Sequence, residues 1–220
     1  MRKYYEAYEE RYKTAHEAGI QWASNQPTPI VLQTLRKYAK EDAKVLEIGC
    51  GEGRDSIALL KEGYHLRATD ISKEAVAYCK RTYPAYESAF TVENCFSAPC
   101  EKYSFVYAVA VLHMLVEDAD RRAFYNAIKA RLAKDGVALI CTMGDGEHEF
   151  QTDVSQAFEL QERSHPAGTI KVAATSCRMV SFSTFERELA QSGFIIVEKG
   201  YASALPDFDS LLYAVVRRGE

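Results

Sequence analysis

The sequence predicts an α/β protein: an open, mostly parallel sheet with helices on both faces, three layers in all. Three observations carry that expectation. From Ala43 onward, short β-rich runs alternate with helical patterns. One apolar run ends in three alternate glycines, Gly49, Gly51 and Gly53, and a helical pattern follows. The chain closes on two β-like runs with no helical pattern between them. Composition agrees: 220 residues with 47% hydrophobic and 26% charged exclude a disordered or collagen-like chain. One domain of roughly 200 residues buries about 70% of its unfolded surface, so no disulfide or metal staple is required.

Residues 1–42 form an N-terminal helical cap. Tyr4, Tyr8 and Tyr12 recur every fourth residue and so share a helix face. Gly19 breaks that helix, and Thr28-Pro29 starts a second one, with proline in its first turn and Ile30, Val31, Leu35 and Tyr38 on its apolar side. The core, 43–144, reads as strand 44–48, helix 54–62, strand 65–69, then a helix capped by Ser72 that stops before Pro84. Strands 88–92 and 105–109, helix 120–133 and strand 137–142 complete it. Segment 145–180 is too long for a simple connection and reads as a cap over a pocket, to which Phe150, Phe158, His165 and Arg178 contribute. In 181–220, Ser183-Thr184-Phe185-Glu186 has the pattern of a capping box for a helix that ends at Gly193. Runs 194–198 and 211–216, joined through Pro206 and Asp207, form an antiparallel hairpin.

Formal net charge is −4, and no Lys/Arg cluster exceeds Arg121-Arg122 or Arg217-Arg218, which disfavours nucleic acid as a partner. The apolar stretch 105–116 falls short of the ~20 residues of a membrane-spanning helix. The N-terminus turns acidic at once, without a signal-like apolar region, so no membrane association and a cytoplasmic location are expected. The six cysteines, Cys50, Cys79, Cys95, Cys100, Cys141 and Cys177, form no CxxC pair. They read as reduced core thiols, with no metal site expected. Soft thiolates also suit a chalcogen or metalloid, which keeps open a soft-atom ligand held by two of Cys95, Cys100, Cys141 and Cys177.

The stretch 45–55 is the most informative. Glycines at a strand-to-helix turn let backbone approach a ligand closely, and the helix start offers free N–H groups. Asp70, about twenty residues on at the end of the next strand, suits both ribose hydroxyls of an adenosine. A dinucleotide fingerprint would place its third glycine at position 54, which is Arg54. Glu47 adds negative charge that opposes a pyrophosphate and suits an ammonium or sulfonium. Together these favour S-adenosylmethionine over NAD.

Glu47-Ile48-Gly49-Cys50-Gly51-Glu52-Gly53 resembles the first motif of class I S-adenosylmethionine-dependent methyltransferases, and Ala68-Thr69-Asp70-Ile71-Ser72 resembles their second. Residues 105–115 are similar to the fourth-strand motif, and Leu132-Ala133-Lys134-Asp135-Gly136 to the loop before strand five. Gly53-Arg54-Asp55-Ser56 with Gly63-Tyr64 is similar to the tellurite-resistance and thiopurine branch. The resemblance implies a Rossmann-like, seven-stranded, mostly parallel sheet with a reversed last strand. It assigns Gly49, Gly51 and Gly53, with Cys50, to the methionine portion, Asp70 to the ribose and Ile71 to the adenine. Asn94 and Cys95 stand where the adenine amino group is held, with Phe96 as an apolar lid. Val109, Ala110 and Val111 face the methionine arm.

Methyl transfer from a sulfonium needs positioning and desolvation above all, and a base only when the acceptor holds its proton. His113, after the fourth strand, is the candidate base, or a histidine fixed by a hydrogen bond there. Asp145, Glu147, His148 and Glu149 follow strand five, either as acceptor contacts (Asp145 and His148 foremost) or as an exposed acidic turn. Tyr12 and Trp22 lie at the cofactor entrance if the first helix folds over it; otherwise the tyrosine stripe packs on the sheet. The expected activity is methyl transfer to a small-molecule acceptor, with S-adenosylhomocysteine as product, by a monomer or homodimer. The alternatives are a protein methyltransferase, a non-catalytic S-adenosylmethionine-binding protein, and an NAD-dependent oxidoreductase.

Overall fold

The computed structural model describes residues 2–40, 42–99, 101–204 and 208–219. Cys100 and the predicted turn residues Pro206 and Asp207 lie outside them. A short 3-10 turn, Tyr4–Glu6, leads into α1 (Ala7–Glu17), and α2 spans Pro29–Tyr38. Then follow β1 (Lys44–Ile48), α3 (Arg54–Lys61), β2 (His65–Asp70), α4 (Lys73–Thr82) and β3 (Phe90–Val92). β4 (Tyr103–Val109), α5 (Asp118–Arg131) and β5 (Leu132–Met143) come next. Four short strands, β6 (Phe150–Gln151), β7 (Leu160–His165), β8 (Gly168–Ala173) and β9 (Arg178–Met179), precede α6 (Phe182–Gln191), β10 (Phe194–Ala204) and β11 (Phe208–Arg218).

Seven strands form one sheet in the order β10-β11-β5-β4-β1-β2-β3. All pairings are parallel except those of β11 with β5 and β10, so β11 alone is reversed. The period-2 alternation of each strand feeds two cores. Val45, Tyr107 and Leu139 bury against Val31 and Leu35 of α2 and Leu59 of α3 on one face. Leu46, Val106 and Ile140 bury against Phe124 and Ile128 of α5 and Phe185 and Leu189 of α6 on the other.

Several local expectations needed revision. Residues 84–89 form 3-10 turns, which shortens β3. Strand β5 starts at Leu132, and the stretch resembling a preceding loop is absorbed as a register shift between Tyr103 and Phe105 of β4. The cap of α6 is Ser181, whose Oγ accepts the Thr184 N–H at 3.2 Å, so Ser183 lies inside the helix. Insertion 145–180 is two small antiparallel pairs, β6 with β9 and β7 with β8. It meets α1 directly: Ala7 packs with Ala157 and Ala173, and Ala15 with Ile170 and Val172.

Candidate functional site

The turn after β1 is tied to β2 by Gly49 and Cys50, whose N–H groups donate to the Thr69 carbonyl at 2.8 and 2.9 Å. Gly49 (φ 77°) and Gly51 (φ 51°) are left-handed, where a side chain is strained. A Cβ at Gly49 would strike the Val111 side chain, and one at Gly51 would stand 2.8 Å from the Tyr12 hydroxyl. Asp70 Oδ2 accepts the Gly51 N–H and Oδ1 the Ser72 N–H, both at 2.8 Å. Burial pushes this carboxyl up, against those two N–H groups, which favour its charge.

A cavity of about 840 Å³ opens above this turn. Its floor and walls include Glu47, Gly49, Cys50, Gly51, Asp70, Ile71, Asn94, Cys95, Phe96, Val109, Ala110, Val111, Tyr12, Trp22 and His113, all expected at the site. Ala110 is left-handed (φ 55°), an uncommon state for a non-glycine residue, at the point where β4 opens into the cavity. Three expected residues lie elsewhere. Gly53 caps α3 and faces Cys79 and Phe90 behind the turn. Asp145 and His148 pair with each other at 2.7 Å, with side chains 55% and 79% exposed, outside the cavity. Asp145 also accepts the N–H groups of His148 and Glu147, and these hold its carboxyl well below its usual range. In the structure that loop is an exposed acidic turn outside the cavity. Of the predicted cap residues, Phe150 and His165 line the cavity. Phe158 instead packs near Ala7 and lies under Arg2, and Arg178 holds Val116 O and Asp118.

Two charge expectations change. Glu47 is 3% exposed, with Ser56 and the Tyr107 hydroxyl donating to it. Burial, then the charge of Asp55, pushes it up to about 8, so at neutral pH it supplies little negative charge. His113 is 3% exposed, and burial, then the charges of Arg121 and Arg11, lower its imidazole to about 3. Such a group is a weak base at neutral pH. Burial also raises the thiols of Cys95 (to about 12) and Cys177, both on the cavity wall, so neither is poised as a soft-atom thiolate. Cys141 lies in the core beneath.

Sequence reading missed what fastens the lid. Glu52, 2% exposed, accepts the N–H groups of Trp22 (2.8 Å) and Ala23 (2.7 Å), and its Oε1 lies 2.8 Å from His16 Nε2. His16 Nδ1 is 2.8 Å from Glu74, and the ring stacks on Tyr78 at 4.4 Å. Asp55 accepts the Thr28 N–H (2.5 Å) and hydroxyl (3.0 Å), so Thr28 serves α3 rather than capping its own helix. Glu9 accepts the Ser72 hydroxyl at 2.6 Å. The available signal was the cluster of acids, Glu52 and Asp55, inside and after the glycine turn.

Residues 45–136, from β1 into β5, match the family model described as a methyltransferase domain. A protein of Geobacillus sp. (strain WCH70) that carries a methyltransferase name by assignment only is 27% identical over 114 residues, covering 50% of this chain and 46% of that protein. Thiocyanate methyltransferase 1 of Arabidopsis thaliana is 25% identical over 162 residues, covering 66% and 71%. The chain spans about half the length of the first curated relatives it matches. Among solved structures, the Burkholderia thailandensis 1,6-didemethyltoxoflavin-N1-methyltransferase, with bound 1,6-didemethyltoxoflavin and S-adenosylhomocysteine, superposes with a TM-score of 0.68 at 16% identity, over 97% of this chain and 88% of that one. The fold is that of the Rossmann-like S-adenosylmethionine-dependent methyltransferases, and the matched segment contains both the glycine turn and Asp70. No helix among the described residues is long and apolar enough to cross a membrane.

Proposed function

We propose that this chain is an S-adenosylmethionine-dependent methyltransferase whose acceptor is a small molecule. The observation that carries this reading is a single space: the glycine turn and Asp70 line the same cavity as Phe150, His165 and Cys177 of the insertion. A purely cofactor-binding protein would need no such second half. At about 840 Å³ the cavity lies toward the upper part of the ~300–1,000 Å³ range of small-molecule sites.

The residues fit the cofactor. Left-handed Gly49 and Gly51, with no room for a Cβ against Val111 and Tyr12, bring bare backbone to the cavity, and the buried Asp70 presents a carboxyl group beside it. Gly49, Cys50 and Gly51 would hold the methionine portion, Asp70 the ribose, and Ile71, Asn94, Cys95 and Phe96 the adenine, with Val109–Val111 along the methionine arm. When bound, the cofactor supplies a methyl group already activated on a sulfonium. The chain then has to orient the acceptor and exclude water. Tyr12 and Trp22 do so from the lid. His113, neutral at physiological pH, positions rather than abstracts a proton. The relative named for thiocyanate supports the thiopurine-like branch and a sulfur acceptor, in keeping with Met114, Met143 and Met179 on the cavity wall.

Calorimetric titration with S-adenosylmethionine, S-adenosylhomocysteine and NAD tests the cofactor, and labelled methyl incorporation into a metabolite extract tests the activity. Tighter binding of NAD would overturn the proposal. Cofactor binding without transfer to any small molecule would favour the protein-methyltransferase or sensor readings.

A further inference from the structure

Among the described residues three arginines are buried: Arg11, Arg121 and Arg131, at 6%, 1% and 2% exposure. Two have carboxylate partners, Arg121 with Glu188 at 2.7 Å and Arg131 with Glu93 at 2.9 Å. Arg11 has none among the described residues. Its Nε and Nη2 donate to Ala173 O at 3.1 and 2.8 Å, and Nη2 also reaches Ala174 O at 2.6 Å. The N–H groups of Nη1 make no hydrogen bond to a described residue. The guanidinium lies between the rings of Tyr8 (4.9 Å) and Trp22 (4.8 Å) and lines the cavity.

A second cation joins it. Arg163, on β7 of the insertion, donates from Nη2 to the same Ala174 carbonyl at 3.4 Å and to Gln161 Oε1 at 3.0 Å. It too lines the cavity and has no carboxylate partner among the described residues. Two like charges therefore converge on one carbonyl oxygen at the cavity wall. Burying a guanidinium without a counter-ion is unfavourable, and the like charge of Arg163, partly screened because that side chain is exposed, adds to the cost. An anion between them removes both penalties, and the planar forks suit a carboxylate.

We infer that the acceptor is a small organic anion whose carboxylate, or equivalent group, sits between Arg11 and Arg163 with its apolar body toward Trp22 and Phe150. This rests on the reading of the cavity as a methyltransferase's acceptor site. It assigns the anion to the acceptor because both guanidiniums are bound to the insertion, whereas the glycine turn meets Tyr12, His16 and the Trp22 and Ala23 amides. The other source of a carboxylate is the methionine end of the cofactor, and the two are separable.

Benzoate and its neutral isostere benzamide are titrated by ligand-observed NMR, with and without S-adenosylhomocysteine, whose own affinity is measured by calorimetry. Benzoate should bind about tenfold more tightly than benzamide, the worth of one charge-assisted contact. Arg11→Gln and Arg163→Gln should each remove most of that preference and leave S-adenosylhomocysteine affinity within about twofold. Should Arg11→Gln fail to fold, the exposed Arg163, changed to Gln and to Glu, carries the test alone, with Glu reversing the preference. Equal binding of the two probes to the native chain overturns the proposal. So does a loss of S-adenosylhomocysteine affinity in the variants with the benzoate preference intact, which would assign the arginines to the cofactor. A benzoate preference that responds to the arginines in a chain that does not bind S-adenosylhomocysteine would keep the anion site and sink the methyltransferase reading instead.

Discussion

Glu52→Ala removes the acceptor that fastens residues 16–23 to the glycine turn. Its carboxylate takes two backbone N–H groups at 2.8 and 2.7 Å and faces His16 Nε2 at 2.8 Å. A hydrogen bond to a charged group contributes about 1.5–3 kcal/mol, so three independent ones would sum to several kcal/mol. The full sum is not reached, because Trp22 and Ala23 are only half-buried and their amides regain water once released. A net loss of about 3 kcal/mol follows, or about 6–12 °C in Tm for a chain of this size. The assay is built in: Trp22 is the sole tryptophan, so intrinsic fluorescence reports this segment and little else. Its emission should move to the red, and acrylamide quenching should rise at temperatures where circular dichroism is still native. Glu52→Gln keeps the shape but offers an amide donor where one oxygen had accepted, and should lose about half as much. Native quenching together with native Tm in Glu52→Ala would show that α1 packing alone holds the lid, and the reasoning would be wrong.

Asp70→Ala should weaken S-adenosylmethionine binding by about 1–3 kcal/mol in calorimetry; undiminished affinity removes the ribose assignment. Arg121→Met takes one partner from a pair with Glu188 and releases the carbonyls of Leu112 and Leu115, which Arg121 holds at 3.0 and 3.2 Å. Denaturant unfolding should show a loss of about 3–5 kcal/mol, discounted somewhat because Glu188 is partly exposed, and a loss below about 1 kcal/mol would make the pair incidental. Glu47, at about 8 against its ordinary 4.5, keeps its proton in the native chain where the unfolded chain has lost it, so stability falls as pH rises between those values. Glu47→Gln should match the native chain near the lower value and gain in Tm above the upper one; calorimetric scans with the same pH slope for both would exclude this cause.

The core of the sheet was legible because buried parallel strands read as near-continuous apolar runs, as 105–109 does, and β1 keeps Val45, Leu46 and Ile48 around a single acid. Where strands leave the core, that signal fails. β7 is exposed along most of its length, so neither alternation nor apolarity marks it. β5 begins in Leu132-Ala133-Lys134-Asp135-Gly136, whose Asp and Gly read as a turn, yet the register shift against β4 accommodates them within the strand. Ser183 lost the cap of α6 to Ser181 because a serine followed three residues later by Glu fits an N-terminus, while only tertiary placement shows which serine leaves the helix.

The site divides along the same line. Its floor is local: glycines, Asp70 and Val109–Val111 stand at strand ends, where chain order alone places them. The lid is not. Arg11 meets Ala173 and Ala174 across 162 and 163 residues, and Glu52 meets Trp22 across 30, pairings that no local pattern encodes. These contacts grip α1 from two sides. Glu9 and His16 fasten it to Ser72 and Glu74 at the start of α4 and to Glu52 of the glycine turn, and Arg11 fastens it to the insertion. Tyr12 and Trp22 lie between the two grips, and both face the cavity. The acids of the glycine turn thus hold the lid, which explains why Glu52 and Asp55 are buried beside a feature whose glycines alone would have sufficed to approach a ligand.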